Sequence, residues 1–400
     1  MNTNLFNIFN PDWWLNENNN ALQMTDAILF LLLLIPVIYL LIYGLASLSK
    51  YKDPYPQAEE RHKFLILFTV LRNGQEAINS INHFLNTQMY PEELYDIAVV
   101  ATQVNEEDLM TLLQMPINIV IPDKEDCTKV YAIQQVIQRY SASEYDAIVI
   151  LNSDNEVVPN MLELLNNAYY SGCDSIQSHR LVKDLSTSTA ILNAASDEIN
   201  NRIFRKAHTT LGFSSALDGS GMMFDFEMAH RVIPRLKGDD FARAMELELL
   251  KENIFTEYLD DTICFCNPKN DSKQDLRIYQ SGRILKALLH FPYAFFHGQW
   301  DLCEKYIQWI IPPRFLLSLY IITIATTISI LYWPLCIKWW VLFIALISSF
   351  LLALPEGEIN KRLVGAIWSL PGYTFKRILA ALKSLIDKVR PIKSDNSTKY

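Results

Sequence analysis

Phe64-Leu65-Ile66-Leu67-Phe68-Thr69-Val70, followed by Arg72-Asn73-Gly74 and by apolar residues at Ile78, Ile81, Phe84 and Leu85, is the stretch that decides the fold. A short continuous apolar run predicts a strand buried on both faces, the Asn-Gly pair a loop, and the spacing after it a helix. The same order returns downstream: Ile97–Val100 and Ile117–Ile121 read as strands, Val130–Ile137 as a helix and Ala147–Leu151 as the next strand. Strands of this kind alternating with helices predict an α/β fold whose mostly parallel sheet is covered on both faces. Ligands of such sheets bind beyond the carboxyl ends of the strands. The polar residues there are Arg72 and Asn73, then Thr102, then Asn152, Asp154 and Asn155. No internal repeat and no Walker-type phosphate loop is present.

On either side of this region the sequence becomes apolar. Half of the 400 residues are hydrophobic, and they concentrate at the two ends. Residues 27–48 carry no charge and are long enough to cross about 30 Å of hydrocarbon. Asp12, Glu17 and Asp26 precede this run, whereas a secretory signal peptide places cations there, so a retained spanning helix is expected. Residues 315–337 and 339–354 read as two further spans, divided around Pro334 and Lys338. Lys50, Lys52, Arg61 and Lys63 follow the first span, and Lys361, Arg362, Lys376, Arg377 and Lys383 the last. By the positive-inside rule both flanks are cytoplasmic, which puts residues 1–26 outside and the region 60–298 inside. Residues 299–314 are expected to lie at the interface. Between 361 and 390 the apolar residues Phe375, Ile378, Leu379, Leu382, Leu385, Ile386 and Val389 recur at helical spacing opposite Lys and Arg, the pattern of an amphipathic helix on a lipid surface. Residues 391–400 form a polar tail.

The net charge of −9 and the lack of a basic stripe exclude nucleic acid as a partner. Six cysteines, without zinc-ligand spacing, read as reduced thiols.

Asn152-Ser153-Asp154-Asn155 leaves one carboxylate at the end of a buried strand, where an oxygen-ligated divalent ion could bridge it to a diphosphate. The same four residues suit an Asx turn closing the strand. Over residues 60–300 the ordered elements resemble the membrane-bound members of glycosyltransferase family 2, which have the GT-A, Rossmann-like fold. Lys129, in Lys129-Val130-Tyr131-Ala132-Ile133, looks like the family's lysine motif, and Asp154 falls on the metal-binding aspartate of its aspartate-any-aspartate motif. Leu217-Asp218-Gly219-Ser220-Gly221-Met222 is similar to its glycine segment near the acceptor, although an ordinary turn would also want Gly219 and Gly221. Asp239-Asp240-Phe241 stands where the family carries Glu-Asp. Its last motif, Gln-any-any-Arg-Trp, has two candidates, Gln280 with Arg283, favoured by spacing, and Gln274 with Arg277.

The resemblance implies inverting transfer from a nucleotide-diphosphate sugar to a lipid-linked or membrane-proximal glycan, at a bacterial cytoplasmic (inner) membrane. Asp154 would hold Mg2+ or Mn2+, and Asp240 or its neighbour Asp239 would be the base. Arg72, Asn73, Lys129 and Asn152 would line the donor pocket, Gly219 and Gly221 would approach the sugar, and Gln280 and Arg283 would bind diphosphate or acceptor. Membrane lipids, partner subunits or further copies of the chain are the other expected partners. The sequence departs from the family in one direction: Gly74, Thr102 and Asn152 replace carboxylates, and isoleucine replaces the tryptophan. Counting back from Tyr258 without gaps places the expected base near Ala242. Two classes follow, an active transferase and a transferase-like protein that binds a nucleotide sugar or serves as a partner subunit.

Overall fold

The computed structural model describes residues 20–49, 55–124, 127–267, 281–331, 333–355 and 361–367. In chain order its helices and strands are α1 (Asn20–Ala46), β1 (Phe64–Leu71), α2 (Gly74–Thr87), β2 (Tyr95–Thr102), α3 (Glu106–Leu113), β3 (Asn118–Val120), α4 (Lys129–Ile137), β4 (Ala147–Asn152), β5 (Glu156–Val157), α5 (Met161–Tyr170), β6 (Ser175–Val182), α6 (Ser188–Asn201), α7 (Ala207–Thr210), β7 (Met222–Asp225), α8 (Phe226–Val232), α9 (Phe241–Lys251), β8 (Thr256–Cys266), α10 (Ser281–Phe296), α11 (Trp300–Ile310), α12 (Arg314–Leu331), α13 (Trp333–Ala353) and α14 (Lys361–Ile367). A π-helical turn, Arg202–Lys206, joins α6 to α7.

One eight-stranded sheet runs in the order β3-β2-β1-β4-β7-β6-β8-β5. Its first half, β3 to β4, is parallel, as the apolar runs predict. The sheet is mostly parallel as expected, and the exceptions lie in its second half: β7 is antiparallel to both β4 and β6, and β5 to β8, while β6 is parallel to β8. Three of these strands were illegible, β5 and β7 because they are short and β6, Ser-Ile-Gln-Ser-His-Arg-Leu-Val, because it carries polar side chains along both faces.

Alternation along β1 divides the core. Leu65 and Leu67 pack with α4, α8 and α9 on one side, and Phe64, Ile66, Phe68 and Val70 with α2 and α5 on the other. Full burial of both faces is what a continuous apolar strand requires. Gly74 opens α2 where a Cβ would lie 2.5 Å from the Cβ of Asp108, so the acidic residue expected there is displaced by the close approach of α3.

Two helices are long and apolar enough to cross a membrane, Gln23–Ala46 and Leu335–Ala353, and a third span exists if the pair Trp300–Ile310 and Arg314–Ile330, bent by 53°, is counted as one. The span expected over 315–337 is therefore divided differently: α12 ends at Leu331, and Pro334 is the second residue of α13, where a proline's missing N–H costs nothing. α1 and α13 run alongside each other. At one end Asp26 pairs with Lys338 and accepts the Trp339 indole N–H at 2.9 Å. Further along, Gly44 meets the Ser349 backbone so closely that a Cβ would lie 2.9 Å from its carbonyl.

The helix α1 also holds the sheet domain. Tyr43 stacks on His208 of α7 with ring centroids 4.1 Å apart, and Tyr39 hydrogen-bonds Glu304 of α11, which lies 2.7 Å from the same imidazole. The N-terminal segment before residue 20 and the amphipathic helix expected beyond 367 lie outside the described residues.

Candidate active site

The chain runs from β1 to β2 and β3 on one side and then crosses to β4 on the other, so the strand order reverses between β1 and β4. A crevice opens at such a reversal, at the carboxyl ends of the strands. Thr69 of β1 stands opposite Asn152 of β4, and its hydroxyl donates to the Leu151 carbonyl at 3.1 Å and to Asn152 Oδ1 at 3.2 Å. Lys129, the first residue of α4, reaches across with its ammonium, 2.5 Å from Asn152 Oδ1 and 2.6 Å from the Gly219 carbonyl. Thr128 sets this lysine in place by capping α4 through the Tyr131 N–H.

The backbone beside the crevice is strained. Arg72 and Gln103 have φ of 91° and 53°, the left-handed region that non-glycine residues avoid. They sit at the ends of β1 and β2 and are coupled, Arg72 Nε donating to Gln103 Oε1 at 2.8 Å and Arg72 N to the Thr102 carbonyl at 3.0 Å. Strain of this kind collects at functional sites. Asn73 donates to Glu76.

The Asx-type closure of β4 is present: Asn152 N donates to Asn155 Oδ1 at 2.8 Å, and Asn155 N donates back to the Asn152 carbonyl at 3.2 Å. Asp154 projects from this turn, accepting the Asn267 N–H at 2.8 Å and the Asn155 amide at 3.3 Å, and so ties the turn to the end of β8. These residues fit a divalent ion poorly. Asn152, standing at the first aspartate of the motif, spends its carbonyl oxygen on an ammonium, which leaves Asp154 as the carboxylate of the turn. Among the described residues no group of three His, Cys, Asp or Glu stands together, so an ion here would depend on one or two carboxylates and the oxygens of a substrate phosphate.

Opposite, Gly219 and Gly221 both take positive φ, 87° and 63°. Gln177 of β6 fixes the loop, donating to the Ser220 carbonyl at 3.0 Å and accepting the Asp218 N–H at 2.8 Å. A Cβ on Gly219 would meet the Ala242 methyl at 3.8 Å. The side chain nearest Gly219 is thus Ala242, the position to which the register count leads, while Cys264 and Ser178 face Gly221. Asp240 lies just before α9 and caps it, one oxygen accepting Arg243 N at 3.3 Å and the other paired with Arg243 Nε at 3.1 Å. Its side chain is 46% exposed, and Asp239 is exposed as well. Gln274, Arg277 and Gln280 lie outside the described residues, and Arg283 falls in the first turn of α10.

Sequence reasoning missed a buried charged network behind the loop. Asp218 receives Arg180 at 2.8 Å and Arg205 at 3.4 Å. Three residues of β8, Asp260-Asp261-Thr262, bulge out between Leu259 and Ile263 where β6 continues from Ser178 to His179. The bulge brings Asp260 to 3.1 Å from His179 Nδ1 and 3.0 Å from Lys206, while Glu198 lies 2.9 Å from His179 Nε2. Burial alone would lower the imidazole's pKa, but hydrogen bonds to two carboxylates, with their charges, outweigh it and raise it to about 9. Asp260 is held far below the usual carboxylate range, its burial outweighed by His179 and Lys206. The signal in the sequence was Gln177-Ser178-His179-Arg180, four consecutive polar residues after an apolar one.

No protein-family model and no curated protein matches the sequence. Among solved structures the chain is similar to the mannosyltransferase PcManGT from Pyrobaculum calidifontis, in complex with GDP-Man and Mn2+, with a TM-score of 0.50 and 15% identity over 81% of this chain and 96% of that one. The fold is that of a glycosyltransferase. S. aureus TarS 1–349, in complex with UDP-GlcNAc, matches with a TM-score of 0.44 and 11% identity over 73% of this chain and 90% of that one.

Proposed function

We propose that this glycosyltransferase-fold chain is a membrane-bound enzyme of the GT-A, family 2 type. In this reading a nucleotide-diphosphate sugar binds in the crevice between β1 and β4, and the sugar passes with inversion to a lipid-linked or membrane-proximal acceptor in cell-surface polysaccharide or glycolipid synthesis. The observation that carries it is the Lys129 ammonium, held between Asn152 and the Gly219 carbonyl where the strand order reverses. Arg72 and Asn73 line the donor side, Gly219 and Gly221 let backbone approach the sugar, and Gln280 and Arg283 serve diphosphate or acceptor. Asp240, or Asp239 beside it, takes the proton of the acceptor hydroxyl as that oxygen attacks the anomeric carbon opposite the leaving diphosphate. Three spans, counting the bent pair, put the N-terminus outside and the sheet domain on the cytoplasmic side of a bacterial inner membrane.

A second reading, a donor-binding partner subunit without turnover, is favoured by Ala242. Its methyl stands beside Gly219 while Asp240 is engaged as a helix cap. One experiment separates the two. The full chain in lipid nanodiscs is given a panel of UDP-, GDP- and dTDP-sugars that includes UDP-GlcNAc and GDP-mannose, with membrane lipid extract as acceptor source, and donor binding and nucleotide release are both followed. The transfer reading expects release that Asp240→Ala lowers by about 100-fold or more. Binding without release assigns the chain to the second reading, and no binding by any donor sinks both.

A further inference from the structure

A leaving diphosphate needs positive charge where it departs. In this crevice a cation is built into the chain. The Lys129 ammonium is fixed by two short charge-assisted hydrogen bonds, to Asn152 Oδ1 at 2.5 Å and to the Gly219 carbonyl at 2.6 Å. The oxygens that hold it come from opposite sides of the crevice, the end of β4 and the glycine loop. Asn152 Oδ1 also shares the Thr69 hydroxyl proton with the Leu151 carbonyl, and an amide carries no charge to attract a metal. Both Asp154 oxygens accept hydrogen bonds, from Asn267 N and the Asn155 amide, which gives this carboxylate a structural task at the end of β8. A divalent ion bridging Asp154 and Asn152 would stand against the ammonium already bound to Asn152. Lys129 is also the first residue of α4, so the positive end of that helix adds to the same region.

We propose that Lys129 replaces the divalent ion as the countercharge for the donor diphosphate, so that this chain binds its nucleotide sugar independently of metal. The inference rests on the donor-binding reading above and adds to it which charge the diphosphate meets. The asparagine at position 152 and the lysine at 129 are then two parts of one exchange: where a carboxylate would recruit a metal, a neutral amide orients an ammonium.

The test uses the full chain in nanodiscs and the same panel of nucleotide sugars, with binding measured by calorimetry in excess EDTA and in millimolar Mn2+. Affinities that agree within about twofold in the two conditions are expected, with a loss of about tenfold or more in Lys129→Met. The paired variant Lys129→Met with Asn152→Asp removes the ammonium and restores the second carboxylate. It is expected to bind Mn2+ alone, read by the loss of the free-ion paramagnetic resonance signal, and to bind donor only when Mn2+ is present. Donor binding by the unaltered chain that EDTA abolishes overturns the inference and leaves the donor-binding reading standing. Lys129→Met that binds as tightly as the unaltered chain also overturns it. No binding by any donor in either condition takes down both. If Lys129→Met does not fold, the EDTA comparison on the unaltered chain decides alone.

Discussion

The two walls of the crevice differ in what they offer. On the β1–β4 wall an ammonium and an amide are joined, one carboxylate projects from the turn that follows, and the backbone at Arg72 and Gln103 is strained. On the glycine-loop wall the backbone is the distinctive feature. Gly219 and Gly221 take left-handed conformations and Gln177 anchors the loop, with the buried Ala242 methyl beside Gly219. Backbone shape is fixed by packing over the whole domain, whereas a reactive group is one side chain at one place. The two are separable, and a fold match at 15% identity speaks to the first.

The largest effect expected is on the glycine-loop wall. Asp240→Ala should lower nucleotide release by about 100- to 10,000-fold if this carboxylate is the base, with donor affinity unchanged. Release that stays the same would remove Asp240 as the base and leave Asp239 beside it to be tested in the same way.

Next comes the buried network behind that wall. Folded, His179 holds its proton up to about pH 9, whereas in the unfolded chain it does so only to about 6.5. Its contribution is therefore complete below about pH 6.5 and is lost as pH rises through about 9, a difference on the order of 3 kcal/mol. The thermal midpoint should fall across that window, and His179→Gln should flatten the fall. A flat profile in the unaltered chain would show that the network does not support the fold in this way.

A smaller loss, about 2 kcal/mol, is expected from Gly221→Ala. It puts a side chain in the left-handed region at a φ of 63° and 3.2 Å from the Cys264 Cβ. Denaturant unfolding measures it. The smallest change sharpens the opposite wall: Thr128→Ala removes the cap of α4 and should cost about 1 kcal/mol, together with a few-fold weaker donor binding as Lys129 loses its fixed origin.

What was legible in the sequence follows the same division. The runs Phe64–Val70 and Ala147–Leu151 announced their strands because both faces are buried, and the crevice followed from their carboxyl ends. The carboxylate missing after Asn73 was visible, but its cause, the packing of α3 on Gly74, needed the third dimension. The strand β6 was hidden because it buries Gln177, Ser178, His179 and Arg180, a polar run that no hydrophobic period reports. Counting residues back from Tyr258 pointed to Ala242, and the structure sets that residue beside Gly219. Two helices long and apolar enough to cross a membrane were legible by length, while the bend between α11 and α12, which stands where the other expected span begins, was not.

The pairing of Asp26 with Lys338 joins residues 312 apart along the chain. At ribosomal rates of about 5–20 residues per second that interval takes about 15–60 s. During synthesis α1 therefore waits, its Asp26 without the lysine and its Gly44 surface without Ser349, while the entire sheet is being made. Among the described residues the last long helix to emerge is the one that completes the first, so translation of α13 sets the earliest moment at which these two helices close on each other.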